Sequence, residues 1–193
     1  NPTPTELISL TAFYKLIKNP ISRIEVASAG GYLSYENIAD KATVAGVEVE
    51  VRKNLFVRPL SSAANGMNKL SFGLNGSYIY TNAKMPLATF TTGSQLEGAA
   101  PWIANFDLSH NFTKGNHSFI NTLVFNYVSD KIYTIGTQGY QDIIEQGMMT
   151  LDFVSQAKLN KYVSLTLKAR NLLNPSYKLS RKANESGEKV VLS

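Results

Sequence analysis

The sequence has no cysteine, only two histidines and no long apolar run. Without cysteine, disulfides and thiolate metal sites are impossible. His110 and His117 stand in a strand end and a tight turn, with no carboxylate or second histidine at metal-ligand spacing, so an imidazole metal centre has no support. No stretch reaches the roughly 18 consecutive apolar residues of a membrane helix, which excludes a helical membrane protein. It does not exclude a transmembrane β-barrel, whose signal per strand is far weaker. The opening NPTPTELISL lacks the basic, apolar and small-residue blocks of a secretory signal, as a mature form or an internal piece would.

Catalytic patterns are missing as well. There is no nucleophile elbow or triad arrangement, and Gly30 and Gly31 lie in a long connection where they read as turn residues rather than a phosphate cradle. The net charge of +5 is scattered through turns and strand faces, without a basic stripe interleaved with aromatics, which argues against nucleic-acid binding. The chain therefore reads as a non-enzyme with no cofactor.

What is present is alternation. A 44% hydrophobic content over 193 residues excludes a disordered tail. The clearest segment is YVSLTLKARNLLNPSY: Val163, Leu165, Leu167 and Ala169 share one face, while Ser164, Thr166, Lys168 and Arg170 share the other. Val47, Val49 and Val51 alternate in the same way with Glu48, Glu50 and Arg52. Two-residue periods predict strands near 6–17, 43–55, 69–81, 102–113, 118–129, 148–159 and 162–173, with an eighth starting after 177 and left incomplete.

The connections alternate too. Those over 18–43, 82–101 and 130–148 and after Asn174 are long, whereas TKGNHS is a tight turn and Asn160–Lys161 reads as a two-residue hairpin. Only 53–69 blurs the rhythm, and part of it reads as an extension of its flanking strands. Short turns on one side and long loops on the other are the layout of an antiparallel outer-membrane barrel. With the long loops outside, Tyr80, Trp102 and Tyr127 fall at outer strand ends and Phe112, Phe119 and Tyr162 at inner ends, as two aromatic girdles would. Loop positions 92 and 136 are then outside, and turn positions 115 and 160 inside.

Strands of about 10 residues suit a tilted bilayer crossing better than the usual globular mode of five or six. A charge at the bilayer midplane costs roughly 2–4 kcal/mol, so Glu48, Glu50, Arg52, Asp107, Asp152, Lys168 and Arg170 are expected to face the lumen. A soluble β-sandwich, which also shows a polar outer face, stays open at this point.

Four phrases then carry a resemblance: LTAFYKLIKNPISRIE (10–25), YENIADKATVAGVEVEVRKNL (35–55), LEGAAPWIANFDLSHNF (96–112) and LDFVSQAKLNKYVSLTLKARNLLNPSY (151–177). In order, spacing and nearly end-to-end coverage the chain resembles the C-terminal barrel of TonB-dependent outer-membrane receptors of the Bacteroidetes type. The resemblance implies an all-β fold, an antiparallel transmembrane barrel segment of seven to eight strands within a barrel of about 22. It implies energy-coupled import of a scarce nutrient such as a siderophore, glycan or peptide, with the bilayer, a plug domain, TonB and a surface lipoprotein as partners. Plug, TonB-contacting segment and terminal aromatic are not found here, so the chain reads as roughly the last third of such a receptor, short of its closing strand. The alternative is a complete small eight-stranded barrel with a structural or adhesive role. Tyr133 and Tyr140, in an outer loop, are candidate substrate contacts alongside Trp102.

Overall fold

The computed structural model describes residues 6–26, 28, 30–60, 66–85, 95–182 and 189–192. Within them the chain is all β, and its long strands follow the alternation. β1 (Leu7–Lys18), β4 (Lys41–Pro59), β5 (Met67–Ala83), β6 (Trp102–Lys114), β7 (His117–Val128), β10 (Met148–Lys158) and β11 (Ser164–Ala169) form one antiparallel seven-stranded sheet. Its order, β1-β4-β5-β6-β7-β10-β11, makes each strand the neighbour of the next in the wall.

Residues 53–69 divide between two strands, since β4 runs to Pro59 and β5 starts at Met67. A bulge between Asn54 and Phe56 interrupts their pairing. It shifts the facing of the strand by one residue, so Phe56 and Arg58 come to the side that Val49 and Val51 occupy upstream. β6 and β7 are joined by Gly115 and Asn116, with Gly115 at φ 57° in the first central position, where a type II′ turn needs glycine.

The link from β10 to β11 differs from the expected two-residue hairpin. Leu159 N–H donates to the Val163 carbonyl at 3.0 Å, leaving a three-residue loop, and the Asn160 carboxamide oxygen accepts from the N–H groups of Tyr162 and Val163. Local capping by an asparagine side chain replaces the tight primed turn. β11 stops at Ala169 because Asn171 takes φ 55°, a left-handed conformation that asparagine tolerates. Its N–H turns to the Asp152 carboxylate at 2.7 Å.

The long connections are not irregular. β2 (Ile21–Glu25), β3 (Leu33–Asn37), β8 (Lys131–Gly136), β9 (Ile143–Glu145), β12 (Leu179–Lys182) and β13 (Lys189–Val191) form a second sheet in the order β13-β12-β9-β8-β2-β3. Its pairs are antiparallel except β2 with β8, which run parallel. The segment after Tyr177 thus adds β12 to β9 of this second sheet, and not to the free side of β11.

The buried apolar core belongs to this loop sheet. Ile24, Ile38, Ile132 and Ile135 pack with Ala39 and with Ala42 and Ala83, which face each other at the ends of β4 and β5. Ala42 and Ala83 share the wall face that carries Glu48 and Glu50, so the loop sheet folds over the end of that face.

Candidate functional site

Register, not sequence alone, decides which side chains share a face. Directly paired residues point to the same side. Ser9, Glu50, Asn75, Asn105, Asn126 and Thr150 form one continuous row across six strands. Asn105 Nδ2 donates to Asn75 Oδ1 at 3.4 Å and Asn126 Nδ2 to Thr150 Oγ1 at 3.0 Å, so the row is partly self-satisfied. The next row contains Arg52, Gly73, Asp107, Val124 and Asp152. Glu48 lies on the same face of β4, and Lys168, opposite Val154, on the same face of β11. Arg170 follows β11 directly, next to the Asn171 amide that Asp152 holds.

These charges share a face without forming one cluster. Glu50 and Arg52 pair at 2.8 Å along their own strand, both well hydrated, a contact that contributes little. Asp107 leans over Gly73, where a Cβ would collide with its carboxylate, and lines a depression of about 190 Å³ with Arg52 and Lys69. Lys168 and Arg170, on and after β11, are three strands from Asp107 on β6 and five from Arg52 on β4.

The opposite face is apolar and uncovered. Ile8 and Leu10 are 72% and 73% exposed and Leu167 is 62% exposed, values that a water-soluble surface does not sustain over a whole sheet. Its aromatics lie at both ends and also between them, where Phe72 stacks on Phe106 at 6.4 Å and Phe125 pairs with Phe106. Trp102 packs on Tyr78 with ring centroids 4.5 Å apart, next to Tyr80 and Tyr127. Phe112 meets Phe119 at 6.5 Å near the other end. From Trp102 to Phe112 the strand advances about 33 Å, or about 25 Å in depth at a tilt near 40°, the height of a barrel's apolar band.

Between the ends a polar seam appears. His110 Nε2 and Asn68 Oδ1 lie 2.8 Å apart, and Ser155 Oγ donates to Asn121 Oδ1 at 2.8 Å, so each group meets a partner before facing apolar surroundings. Tyr162 is outside β11, in the three-residue loop, and is 83% exposed with the Lys161 ammonium 4.8 Å from its ring. His117 opens β7, exposed at the tight turn.

The loop sheet is tied by charge. Arg23 donates from Nε and Nη2 to the Tyr133 carbonyl at 3.1 and 2.5 Å, pairs with Glu97 at 3.4 Å and stacks on the Tyr133 ring at 3.7 Å. Arg181 pairs with Glu25 and reaches over the Tyr140 ring, while Lys131 pairs with Glu145 at 2.9 Å. Tyr133 is therefore held in place by the Arg23 guanidinium, while Tyr140 stays exposed. Burial and the Glu145 carboxylate push the Tyr177 hydroxyl above its ordinary range. Among the described residues no three acidic or histidine side chains are grouped to hold a metal.

A two-faced strand wall with long loops gathered at one end defines an outer-membrane β-barrel architecture. The chain belongs to the family described as TonB dependent receptor-like, beta-barrel, which matches it over residues 3–172. That family comprises outer-membrane transport receptors and is not an enzyme family. Comparisons with curated proteins and with solved structures gave no match.

The loop sheet was not legible beforehand. Its strands span three to six residues, too short for a two-residue period to stand out, and the parallel pairing of Ile24 with Ile135 spans over a hundred positions. The β-branched character of ISRIE and KIYTIG was the available signal.

Proposed function

We propose that this chain supplies part of the wall and the outer loops of a receptor that imports a scarce nutrient, such as a siderophore, glycan or peptide. Energy would come through TonB acting on a plug inside the barrel. The observation that carries the reading is the pairing of an apolar, uncovered wall face with a polar face roofed at one end by an ordered loop sheet. A wall with water on both sides has no use for the first, and a sealed soluble core would not line the second with Glu48, Glu50, Arg52, Asp107 and Asp152.

On this reading those residues, with Lys168 and Arg170, face a hydrated lumen and its plug. Tyr80, Trp102 and Tyr127 anchor the outer interface and Phe112 and Phe119 the inner one, with Tyr162 at the inner turn. The loop sheet forms the mouth, where a substrate or a surface lipoprotein would dock. Neither β1 nor β11 has a second neighbour among the described residues, which favours a larger barrel over closure as a small eight-stranded one.

Uptake of labelled ferric siderophores, oligosaccharides and peptides tests this in cells with and without the intact protein and with and without TonB. One substrate class should be lost in both deficient strains. Loss on deleting the protein with undiminished uptake in the TonB-deficient strain would contradict energy coupling.

A further inference from the structure

On the polar face of the wall Asn126 pairs with Thr150 and Val128 with Met148, while Tyr127 and Met149 between them turn to the apolar face. Just past these residues the chain leaves the wall for the loop sheet, where Lys131 of β8 pairs with Glu145 of β9. Gly147 keeps the return into β10 tight: its N–H donates to the Asp130 carboxylate at 2.6 Å, and a Cβ there would lie 2.7 Å from the Val128 carbonyl. A cavity of about 210 Å³ is left where wall and loop sheet meet.

The apolar part of its lining comes from Val128 and Met148. The polar part consists of groups that both donate and accept. Asn126 Nδ2 donates to Thr150 Oγ1 at 3.0 Å, which leaves the Asn126 carboxamide oxygen and the Thr150 hydroxyl hydrogen without a partner among the described residues. The Gln146 carboxamide has no partner among them either; only its backbone N–H is tied, to the Lys178 carbonyl at 2.9 Å. The two charges of the lining cancel, since Lys131 Nζ and Glu145 Oε1 lie 2.9 Å apart. A charged ligand gains little where each charge already has its counter-ion, whereas a neutral one with several hydroxyl groups and one apolar side satisfies the whole lining. At 210 Å³ the cavity is smaller than the roughly 300–1,000 Å³ of a drug-sized pocket, so it admits one compact unit.

We propose that this cavity binds one ring of a neutral oligosaccharide, with the C–H face of the ring against Val128 and Met148 and its hydroxyls on Asn126, Gln146 and Thr150. The Lys131–Glu145 pair offers a donor and an acceptor to a further hydroxyl. Asn105 and Asn75 continue the row of Asn126 on the next two strands, each about 4.8 Å further along the wall, and present the same carboxamide chemistry to a neighbouring ring. This rests on the import reading, in which the polar face lines the path of the solute, and it selects the glycan among the solutes considered there.

Calorimetric titration of the intact protein in non-ionic detergent micelles tests this, with maltotriose, cellotriose, mannotriose and galactotriose as neutral probes and trigalacturonate, ferric citrate and trialanine as charged ones. At least one neutral trisaccharide should bind, and more tightly than any charged probe. Gln146→Leu removes groups that have no partner inside the protein, so it should weaken that sugar about fivefold to tenfold without lowering the unfolding midpoint. Val128→Trp should fill the cavity and abolish binding. Glu145→Gln leaves Lys131 unpaired and should shift the preference toward trigalacturonate, which a loss of packing alone would not do. Failure of every neutral trisaccharide to bind, or unchanged affinity in both Gln146→Leu and Val128→Trp, would overturn the proposal. Uptake by whole cells separates it from the reading beneath it. If the intact protein carries ferric citrate or trialanine in a TonB-dependent way and binds no sugar, only the sugar site falls; if uptake of none of these solutes depends on the protein, the import reading falls with it.

Discussion

The guanidinium of Arg23 lies 3.7 Å from the centre of the Tyr133 ring while donating two hydrogen bonds to the carbonyl of that same tyrosine. One side chain from the first long connection thereby holds the backbone of the third, and through Glu97 it also holds the second.

Arg23→Ala should loosen the loop sheet and leave the wall intact. Charge-assisted hydrogen bonds contribute roughly 1.5–3 kcal/mol each, so a local loss of about 2–4 kcal/mol is expected. Hydrogen exchange should quicken at Ile24 and Ile135 and remain slow in β5 and β6. Arg23→Lys should recover only part of the protection, because an ammonium cannot reproduce the forked, stacked contact.

The Phe13 ring lies over Gly46, its partner on β4, and a Cβ there would also come within 2.7 Å of the Tyr78 carbonyl. Gly46→Val should cost about 1–3 kcal/mol through overpacking, read as a lower unfolding midpoint in detergent. Adding Phe13→Ala should return part of the loss, the remainder reflecting the backbone carbonyl. Strict additivity of the two changes would contradict the contact.

Much of the wall was legible because its faces meet different solvents. Val47, Val49 and Val51 against Glu48, Glu50 and Arg52 leave one choice of face, and the structure pairs them accordingly with Tyr78, Gly76 and Leu74. Alternation fails where a local device intervenes: the bulge beside Leu55 reverses the facing of Phe56 and Arg58, and the left-handed Asn171 ends β11 early. The loop sheet was hidden because its order depends on Arg23 and Glu25 finding partners far along the chain, at Glu97 and Tyr133 and at Arg181.

Topology follows from the placement of the loop sheet. Single cysteines at Tyr35 and Tyr140, both exposed in the loop layer, should react with a membrane-impermeant reagent on whole cells. Cysteines at Asn116 and Lys161, in the short turns, should react only after the outer membrane is opened. Position 92 falls outside the described residues, and Gly136 is buried against the Tyr140 carbonyl, so neither serves as a probe. Equal reactivity at all four sites would contradict the orientation.

An arginine should distinguish the faces energetically. Leu74→Arg, on the apolar face near mid-wall, should cost about 2–4 kcal/mol in folding into bilayers. Asn75→Arg, one residue along and on the polar face, should cost far less. Equal penalties would mean that the two faces meet the same medium.

The central claim is that one face of the wall meets lipid and the other meets water, and a scan through β6 tests it most directly. Spin labels placed singly from Ala104 to Ser109 in the intact protein, reconstituted in bilayers, report access to oxygen and to a water-soluble nickel chelate. Ala104, Phe106 and Leu108 should favour oxygen, and Asn105, Asp107 and Ser109 the chelate, with a two-residue period. A flat profile, or one with the faces exchanged, would contradict the account.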